Sequence, residues 1–167
     1  MKTRTYKINL TKGQFFSLLS EHLLDKLPKS TYSTDKNSNI ENQYFLGVVD
    51  DNSAKASAFS LAKKQSIKAV NQITAEQFGS SVDVTIKSSL DIKTKLYLTL
   101  FVIIFAALTY FVIYFTSPEL FTEFPFLYFL PLIDIIGLPI IFYFAYISNI
   151  KVFYKRFENI FKEYIIK

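Results

Sequence analysis

The residue whose surroundings most demand a chemical explanation is Asp134. It is the single charge in the run FLYFLPLIDIIGLPIIFYFAYI, from Phe126 to Ile147. A carboxylate in hydrocarbon costs about 2.5–3.5 kcal/mol on insertion scales, so it normally faces a partner, a cation or water. Pro131 and Gly137-Leu138-Pro139 flank it, and prolines free backbone carbonyls and permit a kink. Three roles are open for it: a proton or ion site, a helix or subunit contact, and an acid tolerated near head-group water. The third carries the most weight. A span from Phe129 to Asn149 puts Asp134 in its outer quarter, and two helices alone cannot enclose a pathway.

The other reactive side chains lack company. His22 is the only histidine and lies on the apolar side of an amphipathic segment, where a packed ring is expected rather than a base or a zinc ligand. Asp50-Asp51 sits in Asp50-Asp51-Asn52-Ser53, which turn propensity explains. Gly13, Gly47, Gly79 and Gly137 are isolated, so no phosphate-cradling loop is present. Serines and threonines are common, but a hydroxyl without a neighbouring base is no nucleophile. The chain has no cysteine, which removes disulfides, thiolate metal sites and thiol catalysis. No catalytic, cofactor-binding or metal residue is assigned, no cofactor is expected, and the chain reads as a non-enzyme.

The elements that must position these residues are organised around two apolar stretches. Leu96–Thr116 has no charge and Phe126–Ile147 has only Asp134; each has about the 20 residues that a helix needs to cross a bilayer. Tyr97, Tyr114, Tyr128 and Tyr146 fall where interfacial belts lie. The N-terminal stretch MKTRTYKINLTKGQF lacks the apolar run of a signal peptide, so Leu96–Thr116 is expected to act as its own insertion signal. The net charge of +5 follows topology rather than a nucleic-acid patch. Fourteen Lys and Arg precede Leu96, five follow Asn149 and none lies between. Lys87, Lys93 and Lys95 guard one end of the hairpin and Lys151, Lys155 and Arg156 the other, while the connecting loop carries Glu119 and Glu123. By the positive-inside rule both termini face the cytoplasm of a multi-pass protein of the cell (inner) membrane. These basic flanks fix topology, and Lys93, Lys95, Lys151, Lys155 and Arg156 are candidate contacts for anionic lipid head groups.

Before the hairpin, Thr3–Leu10 alternates with Tyr6, Ile8 and Leu10 on one face and reads as a strand. Thr11 with Gln14 forms a capping box for a helix that places Phe15, Leu18, Leu19, His22, Leu23 and Leu27 on one side and stops before Pro28. Lys29–Asn42 reads as a polar loop. Gln43–Asp50 is a strand, Ala54–Leu61 its return, and Ala62–Phe78 fits either helix or strand. Ser81–Ile92 alternates, with Val82, Val84, Ile86, Leu90 and Ile92 opposite Asp83, Thr85, Lys87, Ser89 and Asp91. After the hairpin, Ile150, Phe153, Tyr154, Phe157, Ile160, Phe161, Tyr164 and Ile165 form a stripe at helical spacing. That stripe needs a cover, and the apolar face of the sheet is favoured over the membrane surface.

Phe45-Leu46-Gly47-Val48-Val49, and Gly79-Ser80-Ser81-Val82-Asp83-Val84-Thr85-Ile86-Lys87 followed by Leu96, carry a resemblance. About half of the chain resembles small uncharacterised bacterial membrane proteins in which an antiparallel β-meander precedes a two-helix hairpin; Ala62–Ile73 departs from that pattern. The resemblance implies architecture and no activity. The expected organisation is an α+β membrane protein: a cytoplasmic domain over residues 1–94 with a strand-helix unit and a β-meander, a transmembrane hairpin over 95–149, and an amphipathic helix over 150–167. The function expected from it is a membrane-anchored interaction module or accessory subunit, whose partners are the lipid bilayer and a homo-oligomer or membrane protein. A small oligomeric transport or channel component using Asp134 is the alternative, and an enzyme acting on lipid the third reading.

Overall fold

The computed structural model describes residues 2–26, 40, 43–50, 52–59, 69–116, 119, 124, 127 and 129–166. The protein is α+β, with a six-stranded sheet and three helices among the described residues. In chain order these are β1 (Lys2–Ile8), α1 (Lys12–Glu21), β2 (Leu23–Leu24), β3 (Phe45–Asp50), β4 (Ser53–Ser57), β5 (Ala69–Phe78), β6 (Ser81–Leu90), α2 (Ile92–Thr116) and α3 (Leu130–Ile160). The sheet order is β1-β6-β5-β4-β3-β2. From β3 to β6 it is an antiparallel meander, β1 joins β6 antiparallel, and β2 pairs in parallel with β3. The chain divides into two compact units, Met1–Leu90 with Ser148–Lys167, and Asp91–Ile147.

The sheet unit is built on period-two alternation. Its covered face carries Ile8, Ala54, Ala56, Ile73, Ala75, Val82, Val84 and Ile86, all buried. Its other face carries Thr3, Thr5, Lys55, Gln72, Thr85 and Lys87. One wet face and one covered face suit an antiparallel sheet, whose strands need no helix on both sides. Two helices supply the cover: Phe15, Phe16 and Leu19 of α1, and Ile150, Phe153, Tyr154 and Phe157 near the end of α3, continued by Phe161. The aromatic rings interlock, Phe45 with Phe153 at 4.7 Å, Phe15 with Phe161 at 5.2 Å and Phe157 with Phe161 at 4.7 Å between centroids. Burying a side chain of this size is worth about 1.5–3 kcal/mol, so the α3 segment contributes a large part of the unit's core. Past α3 the chain covers the outer edge of β1 at its end. Ile165 bridges Ile8, Asn9 N–H donates to the Tyr164 carbonyl at 2.8 Å, and Ile166 N–H to that of Lys7 at 2.9 Å.

Several local expectations resolve here. The capping box forms, with Gln14 N–H donating to Thr11 Oγ1 and Thr11 N–H to Gln14 Oε1 at 3.0 Å. The helix ends at Glu21 rather than running on toward Pro28. Leu23 and Leu24 leave it to pair with Phe45 and Leu46, so pairing along a sheet edge outweighs the helical spacing of the leucines. Of the ambiguous 62–78 stretch, Ala69–Phe78 is strand, because β4 and β6 both offer it a ladder. The Lys29–Asn42 loop lies largely outside the described residues. Gly47 is required by packing: a Cβ there would stand 2.0 Å from the Lys55 carbonyl oxygen and 2.9 Å from Ala56 Cα.

The other unit consists of α2 and the first part of α3. Both helices are long and apolar enough to cross a membrane, and only 11% and 6% of their most apolar windows is buried inside the protein. A soluble core helix would be mostly buried, so surface this apolar needs a non-aqueous surrounding or a covering partner. The less exposed stripe of α2 is Thr94, Leu98, Val102, Ala106, Thr109 and Ile113; that of α3 includes Pro131, Asp134, Leu138 and Phe142. Phe101 and Phe142 touch edge-on at 6.0 Å. Pro131 lies in the first turn of α3, where a missing N–H costs nothing, and the helix continues unbroken through Pro139.

Candidate functional site

The sheet unit encloses a polar seam under the end of α3. It begins with a row across the covered face, where Gly47, Ala56, Asn71, Ser88 and Lys2 stand in register on neighbouring strands. Asn71 and Ser88 are fully buried there. Ser88 Oγ donates to Asn71 Oδ1 at 2.6 Å, and Asn71 Nδ2 donates to the Ala56 carbonyl at 3.0 Å. Ser88 Oγ also lies 3.1 Å from the hydroxyl of Tyr154, which descends from α3 and is 2% exposed. Nearer the start of the same helix, Asn149 Oδ1 accepts from the Ala69 N–H at 3.3 Å. Desolvating these groups without partners would cost several kcal/mol, and the two contacts that reach α3, Ser88 with Tyr154 and the Ala69 N–H with Asn149, fix where it sits on the sheet.

The seam reaches solvent at β1. Arg4 Nη1 pairs with Glu158 Oε1 at 2.9 Å, and the Tyr6 hydroxyl donates to the same oxygen at 2.7 Å. The Arg4 guanidinium lies 4.4 Å from the centre of the Tyr154 ring. Burial pushes the Tyr6 phenol up to about 12, and its hydrogen bond to Glu158 adds to the rise. Its hydrogen bond with Tyr6 raises the Arg4 guanidinium, as does the Glu158 charge. Chemically the seam is a fastener. It is made of two amides, three hydroxyls and a carboxylate paired with Arg4, and the amide beside Ser88 cannot take its proton near neutral pH.

Arg156 requires a correction. Read from the sequence as a head-group contact, it is 6% exposed, with Nη2 donating to the Phe59 carbonyl at 2.9 Å. Its guanidinium lies 5.8 Å from the centre of the Phe59 ring. It occupies the sheet-facing side of α3, where a planar guanidinium can be held by carbonyls and an aromatic face. Lys151 and Lys155, one turn apart on the opposite side of that helix, are exposed, as are Lys93 and Lys95 on the first turn of α2. His22 caps α1, and its Nδ1 lies 2.8 Å from the Gln43 carbonyl. A carbonyl only accepts, so Nδ1 carries the proton and the ring ties the end of α1 to the start of β3.

Asp134 lies on the half-buried stripe of α3. Its Oδ2 is shielded from solvent and has no hydrogen-bond partner among the described residues. No described group of three or more His, Cys, Asp or Glu side chains could hold a metal ion. Sequence reasoning missed Asn71 and Ser88 as a pair, although each occupies the buried phase of its strand's alternation, Asn71 between Ala69 and Ile73, Ser88 between Ile86 and Leu90. No protein-family model matches the chain, and no curated protein or solved structure matches it either.

Proposed function

We propose that the protein is a multi-pass protein of the cell (inner) membrane that works as a non-enzymatic interaction module. In this reading α2 and the first part of α3 form the transmembrane hairpin. The lysine-flanked ends face the cytoplasm, and the sheet unit offers its wet face to a partner protein or a second copy. The observation that carries it is the continuity of α3. One unbroken helix is an apolar span at its start and the buried cover of the sheet at its end, so the sheet unit takes part of its core from the helix that carries the span. The polar seam supports the same reading, because Tyr154 and Asn149 spend their hydrogen-bonding capacity on Ser88 and the Ala69 N–H of the sheet and so fasten that helix.

A photo-crosslinking amino acid at Lys55 or Lys87 tests it in intact membranes. A discrete adduct at these wet-face positions is expected, together with a C-terminal reporter active only inside the cell. Protein that extracts as a bare monomer in mild detergent and gives no adduct at either position refutes the module; an external reporter refutes the topology.

A further inference from the structure

We propose that Asp134 and Gly137 form an intramembrane docking site for a partner's transmembrane helix that carries a basic residue in its span. The inference deepens the membrane-module reading and rests on it. Two independent features of α3 point to it. The first is electrostatic. Asp134 Oδ2 is shielded and has no hydrogen-bond partner among the described residues, so this carboxyl is not an acid that turns both oxygens to head-group water. Equal steps from the Phe101–Phe142 contact bring Thr109 of α2 level with it in a hairpin, yet no hydrogen bond joins the two. The chain offers no cation either, since neither Lys nor Arg occurs between Lys95 and Lys151. Among the described residues nothing compensates a carboxylate at this depth, and intramembrane ionisable side chains normally pair with one another.

The second feature is steric. Gly137 lies three residues on, hence on the same face of the helix as Asp134. Space is open where its Cβ would be, with nothing within 4 Å. It does not serve the contact with α2, which would fill that space. A glycine in a helix interior costs up to about 1 kcal/mol relative to alanine, and in membranes small residues let a second backbone approach closely. Ile133 and Ile141, 62% and 61% exposed, border the notch with apolar surface. A helix laid there meets a close-approach groove beside a half-buried acid that has no hydrogen-bond partner among the described residues. A Lys or Arg side chain on that helix has an acceptor in reach and a flexible apolar stem to lie along the isoleucines.

The test uses the full-length chain in phosphatidylcholine vesicles with synthetic bilayer-spanning leucine–alanine helices. The probe helices carry one Lys, or Leu at the same position, about five residues from one end. Because the chain has no cysteine, an Ile92→Cys variant takes a single dye, and energy transfer reads association. The expected result is about tenfold tighter association with the Lys helix than with the Leu helix, as one interhelical polar contact provides. The preference is lost in Asp134→Asn, kept in Asp134→Glu, and weakened in Gly137→Val with the acid intact. Inserted protein that binds both helices equally overturns the proposal. So does self-association of the parent that Asp134→Asn abolishes, which makes a second copy the occupant. Resistance to carbonate extraction is measured on the same vesicles. A parent that fails to insert overturns the membrane reading itself, a different outcome from an inserted hairpin that ignores the Lys helix.

Discussion

Replacing Asn71 by Asp tests whether the seam under α3 is dry. The side chains have the same shape, and Asn71 is fully buried. Its Oδ1 accepts from Ser88 Oγ at 2.6 Å and its Nδ2 donates to the Ala56 carbonyl at 3.0 Å. A protonated carboxyl can reproduce both bonds, donating its O–H to Ala56. An ionised one cannot, and places negative charge against a carbonyl oxygen. Full burial raises a carboxyl by up to about 3–5 pH units above its unfolded value near 3.9. The folded variant therefore binds more protons than the unfolded chain over that window. The sign follows: relative to the parent, stability is highest below about pH 4 and falls as pH rises, by about 1.36 kcal/mol per unit until the folded carboxyl itself ionises. Between pH 4.5 and 6.5 that slope amounts to about 2.7 kcal/mol, a large share of the roughly 5–15 kcal/mol that holds a domain together. Urea unfolding in detergent micelles, followed by near-ultraviolet circular dichroism of the 11 tyrosines of a chain without tryptophan, measures it. A difference from the parent that is flat across this pH range means that water reaches residue 71, and it refutes the description of the seam as desolvated.

Two further outcomes follow from the same unit. Gly47→Ala is expected to destabilise it by about 1–3 kcal/mol or more, as overpacking does, because the new methyl meets the Lys55 carbonyl in the paired strand rather than a movable side chain. Faster amide exchange confined first to β3 and β4 would localise the effect, and unchanged exchange would contradict it. The Tyr6 phenol should titrate near 12 rather than with ordinary tyrosines. Stability linked to it is present below about pH 10 and lost as pH rises through 12. Glu158→Gln should move the phenol downward in ultraviolet titration, since the carboxylate contributes to the rise; no movement would mean that Glu158 does not act on it.

The distribution of legible and illegible features has a common cause. The capping box at Thr11 and Gln14 was readable because both partners lie within one turn. The β6 strand was readable because Val82, Val84 and Ile86 repeat with the pleat, whatever covers them. The unused polar phases, Asn71 and Ser88, were written in the same alternation, but a polar residue at a buried position has meaning only once its partner is known. Arg156 failed for a related reason. A basic residue beside an apolar span suggests head groups, and nothing in its neighbours announces that Phe59, far back in the chain, offers a carbonyl and a ring.

What the sequence determined alone was set by solvent and period. Two long apolar stretches, one of them broken only by Asp134, become helices with apolar exteriors, strands alternate, and lysines flank the two stretches. What only tertiary structure decided was competition between distant segments. Leu23 and Leu24 leave a helix because Phe45 and Leu46 offer a ladder. Ala69–Phe78 becomes a strand because two others flank it. The end of α3 is buried because the sheet has a dry face to give it. Local propensities differ by less than about 1 kcal/mol per residue, whereas each of these pairings gathers hydrogen bonds and buried area from residues that the local sequence never brings together.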